Sequence, residues 1–592
     1  NSGSGMGFGG YGLVSANQCA SNSSWGLTAG RSGGSLLVLS NNAHHNRNGL
    51  WIGGDSSVNA EAIGNACYAN SESGLVANRC GGVIGNQVYS NSGGGIVSEY
   101  ASPVTKNTVS DNKGHGISGW YGVIVTNNLV VRNGASASYY NLVLPRGAVC
   151  KNNTLVGANG ILIDASGTTI ANNIIWTRGA DMIAFDVQNP PGTMASDYND
   201  IYLTEGAMAG NWLGPRTTLS SWQQVSLLDT HSISIEPRFV DAVTNFHLRS
   251  TAGSYRGAPF TAPDGGSFVA DADLSFGIDG GDPAAGFAQE PVPNGGRLDL
   301  GAFGNTPDAS RSPANRFSLL VEPAPGVKWF GTRTIVWLTR GPWAGGDLVK
   351  LEFSANGGTT WSNIVASVDY ALGRFDWNTT GLPPGTNYLV RVSKTDGSAM
   401  DVAGGAFEVS ASGPRTYYVN DTNTLNDVFC SAAGNAANDG LSAATPKDSV
   451  QAILDTYVVT GGDTIKVDTG NYLLSATIVM TTNDVGSADS PIVIQGSTNG
   501  TTINRQSTSA DAFYLQGAEY VQFRNLKFTG ARCGLSGDGT TANYLRGVEI
   551  LNCETMANGT HGFNFSYTSN MVISASSMHH NGSRGASLGA AV

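Results

Sequence analysis

What this 592-residue chain has least of is charge. Asp, Glu, Lys and Arg make up 13% of it, about half the usual share. Such a surface offers few groups for ionic catalysis. The net charge of −12 disfavours a polyanionic partner, so no nucleic acid is expected. Long apolar runs are missing too, and none reaches the ~18 residues of a membrane span. The seven cysteines show neither a CxxC metal spacing nor a convincing bridge set. Cys19, Cys67 and Cys150 fall in apolar columns described next, and Cys553 stands where an Asn is due, so buried free thiols are expected. The chain opens Asn1-Ser-Gly-Ser-Gly, and a removed secretion signal would leave no trace, so the compartment is not read from this.

What is abundant is Gly, at 80 residues without a Gly-X-Y period, together with a repeated Asn phrase. Asn86 and Asn91 lead to Gly95-Ile96, and Asn107 and Asn112 lead to Gly116-Ile117. The first Asn recurs at Asn17, Asn41, Asn65, Asn86, Asn107, Asn128, Asn153 and Asn173. The second recurs at Asn22, Asn46, Asn70, Asn91, Asn112 and Asn133. Apolar columns keep step: Val83, Val104 and Val125 precede the first Asn, and Val88, Val109 and Val130 follow it. A fixed period with matched apolar columns predicts a solenoid, and short alternating runs make it strand-like. The fold class is therefore all-β, with a parallel β-helix of coils stacked ~4.8 Å apart. Asn at a tight corner tolerates left-handed backbone angles, and stacked amides can bond from coil to coil. The eight residues Asn65, Asn86, Asn107, Asn128, Asn70, Asn91, Asn112 and Asn133 are expected to form this structural ladder.

The repeat fades after Trp176. Residues 181–312 carry longer loops and phrases such as Glu236-Pro-Arg-Phe-Val-Asp241, Gly277-Ile-Asp-Gly-Gly-Asp-Pro283 and Asp299-Leu-Gly-Ala-Phe303. Here the sequence resembles the closing segment of secreted bacterial right-handed parallel β-helix repeat proteins of the pectin-lyase-like superfamily. A closing segment keeps the last apolar coil from water. Residues 313–412 hold five of the eleven Trp, at 329, 337, 343, 361 and 377, among short alternating runs. This reads as a β-sandwich, and Ser354-Ala-Asn-Gly-Gly-Thr-Thr-Trp361 resembles Ig-like modules. Its Trp residues either fill the core or bind carbohydrate, and the area that aromatics bury favours the core. From Tyr417, phrases such as Asn438-Asp-Gly-Leu-Ser-Ala-Ala-Thr-Pro446 resemble the opening segment of the same β-helix family. A short helix near Ser449–Tyr457 is expected to cover its first coil. Three domains follow: a parallel β-helix at 1–312, its closing segment from about 181; an Ig-like β-sandwich at 313–412; and the start of a second β-helix at 413–592.

The Gly114-His115-Gly116 tripeptide also occurs at active sites of polygalacturonase-like enzymes, where paired carboxylates and a basic pair accompany it. Here Asp111 is the only nearby carboxylate, without an Asp-Asp pair or an Arg-x-Lys. Lys106 and Arg132 stand alone where a β-eliminating lyase would need a base beside a cation-binding carboxylate. No catalytic residue is assigned. His44-His45 and His579-His580 share one phase, but neighbouring strand side chains point to opposite faces, so neither pair is expected to share an ion. Asp271, Asp273, Asp279 and Asp282 are candidate calcium ligands, with a solvated Asp-rich loop as the alternative. No other cofactor is expected.

The expected function is an extracellular or cell-surface structural or adhesive protein. In the order 413–592 then 1–312, the two solenoid parts would compose one complete β-helix, and Asn1 has the phase of Asn91. The expected partner is therefore a second copy, docked head to tail into a filament or surface layer, with cell-surface polysaccharide as a further partner. The alternative is a carbohydrate-active enzyme or polysaccharide-binding protein on the same scaffold.

Overall fold

The computed structural model describes the chain except residues 1–2, 31–33, 54–59, 101, 135, 137, 181, 189, 191, 213, 411–412, 488–489, 540–544 and 590–592. The expectation drawn on Asn1 lies outside the described residues. The chain forms two compact units, Asn1–Ala411 and Ser412–Val592.

The first unit opens with a parallel solenoid whose coils visit three sheets in turn. Sheet A starts at Met6–Gly9 and takes Trp25–Gly30, Asn48–Gly53 and their successors. Sheet B starts at Gly12–Ser15 and sheet C at Gln18–Ala20, each with nine strands. Like residues stack in register: Val83 on Val104 on Val125 in sheet B, and Val88 on Val109 on Val130 in sheet C. All six are fully buried. Matched β-branched residues pack well on a pleated surface, so each coil is a template for the next. The coils continue past Trp176, where the repeat stops being visible in the sequence, through Ile183–Gln188, Ala195–Asp197, Asp200–Thr204 and Met208–Asn211.

The corners explain the Asn columns. The residue before each Asn turns left-handed, as at Lys106 (φ 57°) and Asp111 (φ 57°), and the Asn clamps the turn. Asn107 is fully buried. Its Nδ2 donates to Val83 O at 2.8 Å, to Thr105 O at 3.1 Å and to Asn128 Oδ1 at 2.9 Å. Its Oδ1 accepts from Asn86 N at 2.8 Å and from Asn86 Nδ2 at 2.9 Å. The same pattern links Asn65 to Asn86 and Asn70 to Asn91, then Asn91 to Asn112 and Asn112 to Asn133. Asn173 bonds onward to Asn199 at 3.0 Å, a rung that its 26-residue spacing hides from the repeat.

Two different pieces cover this solenoid. The helix Leu219–Ser226, N-capped by Thr218, places Trp222 over the last coil, against Phe185 and Trp212. Trp222 is fully buried, and its Nε1 donates to Asp229 at 2.9 Å. Residues 239–303 instead lie along the outer face of sheet C. Phe239, Phe246, Leu248, Ile278 and Phe303 pack there on Leu129, Val131, Val156 and Ile174. Most of the segment read as a closing cap is thus a lateral cover, because sheet C turns apolar residues outward on these coils.

Within the same unit, residues 317–409 form two groups of strands over one core, one antiparallel and one mixed, with Lys328–Trp329 parallel to Phe407–Val409. Trp329, Trp337 and Trp377 are buried in that core. Trp343 stacks on Tyr370, and Trp361 lies under Arg391.

The second unit is a shorter parallel solenoid of three main sheets, starting at Thr416–Val419, Gly470–Leu473 and Ile478–Thr481, with a two-stranded one of Leu545–Arg546 and Thr568–Ser569. Its helix Val450–Thr456 is N-capped by Ser449, and Val450 and Ile453 enter the core. This is the covering helix expected near Ser449–Tyr457. Asn558 bonds Asn581 at 2.9 Å, continuing the second Asn column. Cys553 takes an Asn position, its N–H donating to Ser576 Oγ at 3.1 Å.

Candidate functional site

The side chains that carry chemistry are held apart or already paired. His115 Nδ1 accepts the backbone N–H of Tyr140 at 3.0 Å, and its ring stands edge-on to Tyr139. Burial lowers its basicity below that of an ordinary histidine. Asp111 does not reach it. Instead Asp111 is bound at both oxygens by Arg132, at 2.7 and 2.9 Å. Arg132 also donates to Val243 O at 3.1 Å, tying the solenoid to its cover. Burial raises the Asp111 carboxyl, but the Arg132 guanidinium more than offsets this and leaves it low. Lys106 sits at the corner between sheets B and C, and Arg132 at the corner between sheets C and A. Asp111 and His115 thus do not pair with each other as an acid and a base.

The four aspartates read as calcium candidates go to separate tasks. Asp271 accepts from Ser250 N at 2.8 Å and pairs with Arg256 at 2.5 Å. Asp273 pairs with Arg249 at 3.3 Å. Asp282 Oδ1 accepts the Ala284 N–H at 2.9 Å, while Asp279 is buried and accepts from Ser312 Oγ at 2.9 Å. Among the described residues, no three His, Cys, Asp or Glu side chains come together to hold a metal.

Asp279 belongs to a group that sequence reasoning missed. Its N–H donates to Asp299 Oδ1, and the Asp299 N–H donates to Glu290 Oε1, each at 2.9 Å. Arg297 and Arg340 provide the facing positive charge. Arg340 comes from the strand Thr332–Arg340 and donates to Phe276 O at 3.0 Å. Burial raises Asp299 well above an ordinary carboxyl, with Glu290 and Asp279 adding repulsion. Burial likewise pushes Glu290 up to about 7. Folding therefore retains a proton on Glu290 that an unfolded Glu loses near its ordinary ~4.3. The stability this group contributes is complete below that value and is lost as pH rises through about 7. Between pH 5 and 8 the first unit should lose on the order of 2 kcal/mol, measured by denaturant unfolding. Glu290→Gln should flatten that slope.

Two concavities stand out among the described residues. One of about 160 Å³ is lined by Trp176, Glu236, Arg238, Phe239 and Asp241, below the ~300 Å³ of a small ligand site. The broader depression of about 690 Å³, along the second Asn corner, is open and lined by Asn46, Asn70, His45, Arg47 and Lys113.

A family described as "Right handed beta helix region" matches residues 469–591. No curated protein matches the chain. The match and the parallel coils together support a right-handed β-helix protein.

Proposed function

We propose that this chain is an extracellular structural or adhesive protein, not a glycan-cleaving enzyme. The observation that carries the reading is the use made of its polar side chains. Corner Asn residues are occupied by neighbouring coils, His115 by a backbone N–H, and Asp111 by Arg132. A stack of coils of this kind suits spacing and surface display, with an Ig-like module in the same unit as the first solenoid. A parallel solenoid adds strands only along its axis. Copies that keep their ladders intact therefore associate end to end, into a filament or surface layer.

The test is incubation of the purified chain with acidic and neutral polysaccharides, scored for new reducing ends and for unsaturated products. Neither should appear, and His115→Ala should behave as the parent does. Depolymerisation abolished by His115→Ala would overturn the reading. Electron microscopy tests assembly separately, with end-to-end rods expected.

A further inference from the structure

The two His-His pairs do not follow strand alternation. His44 ends the strand Asn42–His44, but His45 has turned left-handed, with φ 55°. His579 ends Ser577–His579, and His580 has φ 54°. The turn swings the second ring back to the side of the first. His44 Nδ1 and His45 Nδ1 lie 2.8 Å apart, and His579 Nδ1 and His580 Nδ1 lie 2.7 Å apart. The rings are nearly perpendicular in both pairs, at 83° and 87°. Both corners are held by the following Asn: Asn46 bonds Asn70, and Asn581 bonds Thr555 O.

We propose that each pair, His44 with His45 and His579 with His580, is a two-nitrogen chelate for a divalent transition metal, with Cu²⁺ preferred. Bite distance decides the metal class. At metal–nitrogen lengths of ~2.0–2.1 Å, nitrogens 2.8 Å apart subtend roughly 85°. That suits the right angles of tetragonal Cu²⁺ or Ni²⁺ better than the tetrahedral angle of Zn²⁺, and Cu²⁺ binds such sites tightest. The outer ring nitrogen of His579 supports the assignment. His579 Nε2 lies 3.0 Å from Glu554 Oε1. An ionised carboxylate only accepts, so Nε2 carries the proton, and in the neutral ring Nδ1 keeps its lone pair. A carboxylate on the far nitrogen is the usual companion of a metal-binding histidine. At the other pair Gln18 Nε2 donates to His44 Nε2 at 3.0 Å, so without metal His44 Nδ1–H donates to His45 Nδ1. Binding there turns the Gln18 amide so that its oxygen accepts from His44 Nε2–H. The His44 ring stacks on Tyr68 at 4.9 Å. His45 opens onto the broad depression at the second Asn corner, where water can complete the coordination. Without metal, His580 Nδ1–H donates to His579 Nδ1. Binding moves that proton to His580 Nε2 by exchange with water, with no net release from the neutral pair.

Cu²⁺ titrated into the intact chain should bind at two equivalents, with nitrogen coupling from two imidazoles per ion in its electron paramagnetic resonance spectrum. Ca²⁺ should not compete. His580→Ala should leave one equivalent, and His45→Ala with His580→Ala none. Both substituted residues are exposed, so the thermal transition should not move. Glu554→Ala should keep both equivalents while weakening one of them ~10–100-fold. The proposal fails if the double variant binds Cu²⁺ as the parent does. It fails equally if the parent spectrum shows fewer than two imidazole nitrogens, which would mark adventitious binding.

Discussion

Asn107→Ala is expected to lower the stability of the first solenoid by about 3–4 kcal/mol, a large effect for a side chain without apolar bulk. The truncation strips Asn86 N–H of its acceptor and Val83 O and Asn128 Oδ1 of a side-chain donor, while Asn86 Nδ2 keeps Ala62 O and Ile84 O. The site is fully buried, so water does not replace these partners. Each buried polar group left without one costs about 1–3 kcal/mol. Asn107→Asp should be no milder. It keeps the acceptor but puts a carboxylate oxygen where Nδ2 donated to three oxygens, and it adds a buried charge. Denaturant unfolding of the parent and both variants measures this, and solvent-exposed Asn499→Ala should change stability by under ~0.5 kcal/mol.

Trp222→Ala should cost about 4–5 kcal/mol and promote aggregation. The transfer and cavity cost of a buried Trp is ~3–5 kcal/mol. The Asp229 carboxyl also loses the indole donor at 2.9 Å. Asp229 keeps Ser196, Ser232 and Asn199 as donors, which limits the second cost. The larger consequence is exposure of Phe185 and Ala209 at the end of the apolar columns, where another chain can add a strand. Thermal melting with light scattering checks both parts. Trp222→Phe should recover most of the stability, because it keeps the packing but not the hydrogen bond.

The solenoid was legible because its physics is periodic. One corner that needs a left-handed residue and an Asn clamp recurs on every coil, so Asn86, Asn107 and Asn128 can be aligned by counting. Features that occur once had no such help. The lateral cover was missed, although Val131, Val156 and Trp176 stand where earlier coils place Tyr68, Tyr89 and Ser110. That switch from half-polar to apolar on the outer face was its available sign. The buried acids were harder. Asp279, Glu290 and Asp299 meet Arg340 only through a chain path that includes a different set of sheets, and no spacing encodes it. The meeting of the His rings was hidden for an instructive reason: alternation was applied one residue beyond the strand, where the corner had already reversed it. The phase that identified Asn46 and Asn581 also placed His45 and His580 in that corner.

The central claim is that the repeated Asn corners are internal fastenings of a scaffold and not a surface awaiting a ligand. Hydrogen exchange on the native protein tests it most directly. Corner amides of ordinary turns exchange quickly. Here Asn86 N donates to Asn107 Oδ1 at 2.8 Å, Asn107 N to Asn128 Oδ1 at 3.0 Å, and Asn91 N to Asn112 Oδ1 at 3.0 Å. The account predicts that these amides exchange as slowly as those of the buried strand residues Val88 and Val109. Exchange at Asn86, Asn91 and Asn107 as fast as at an exposed loop would contradict it.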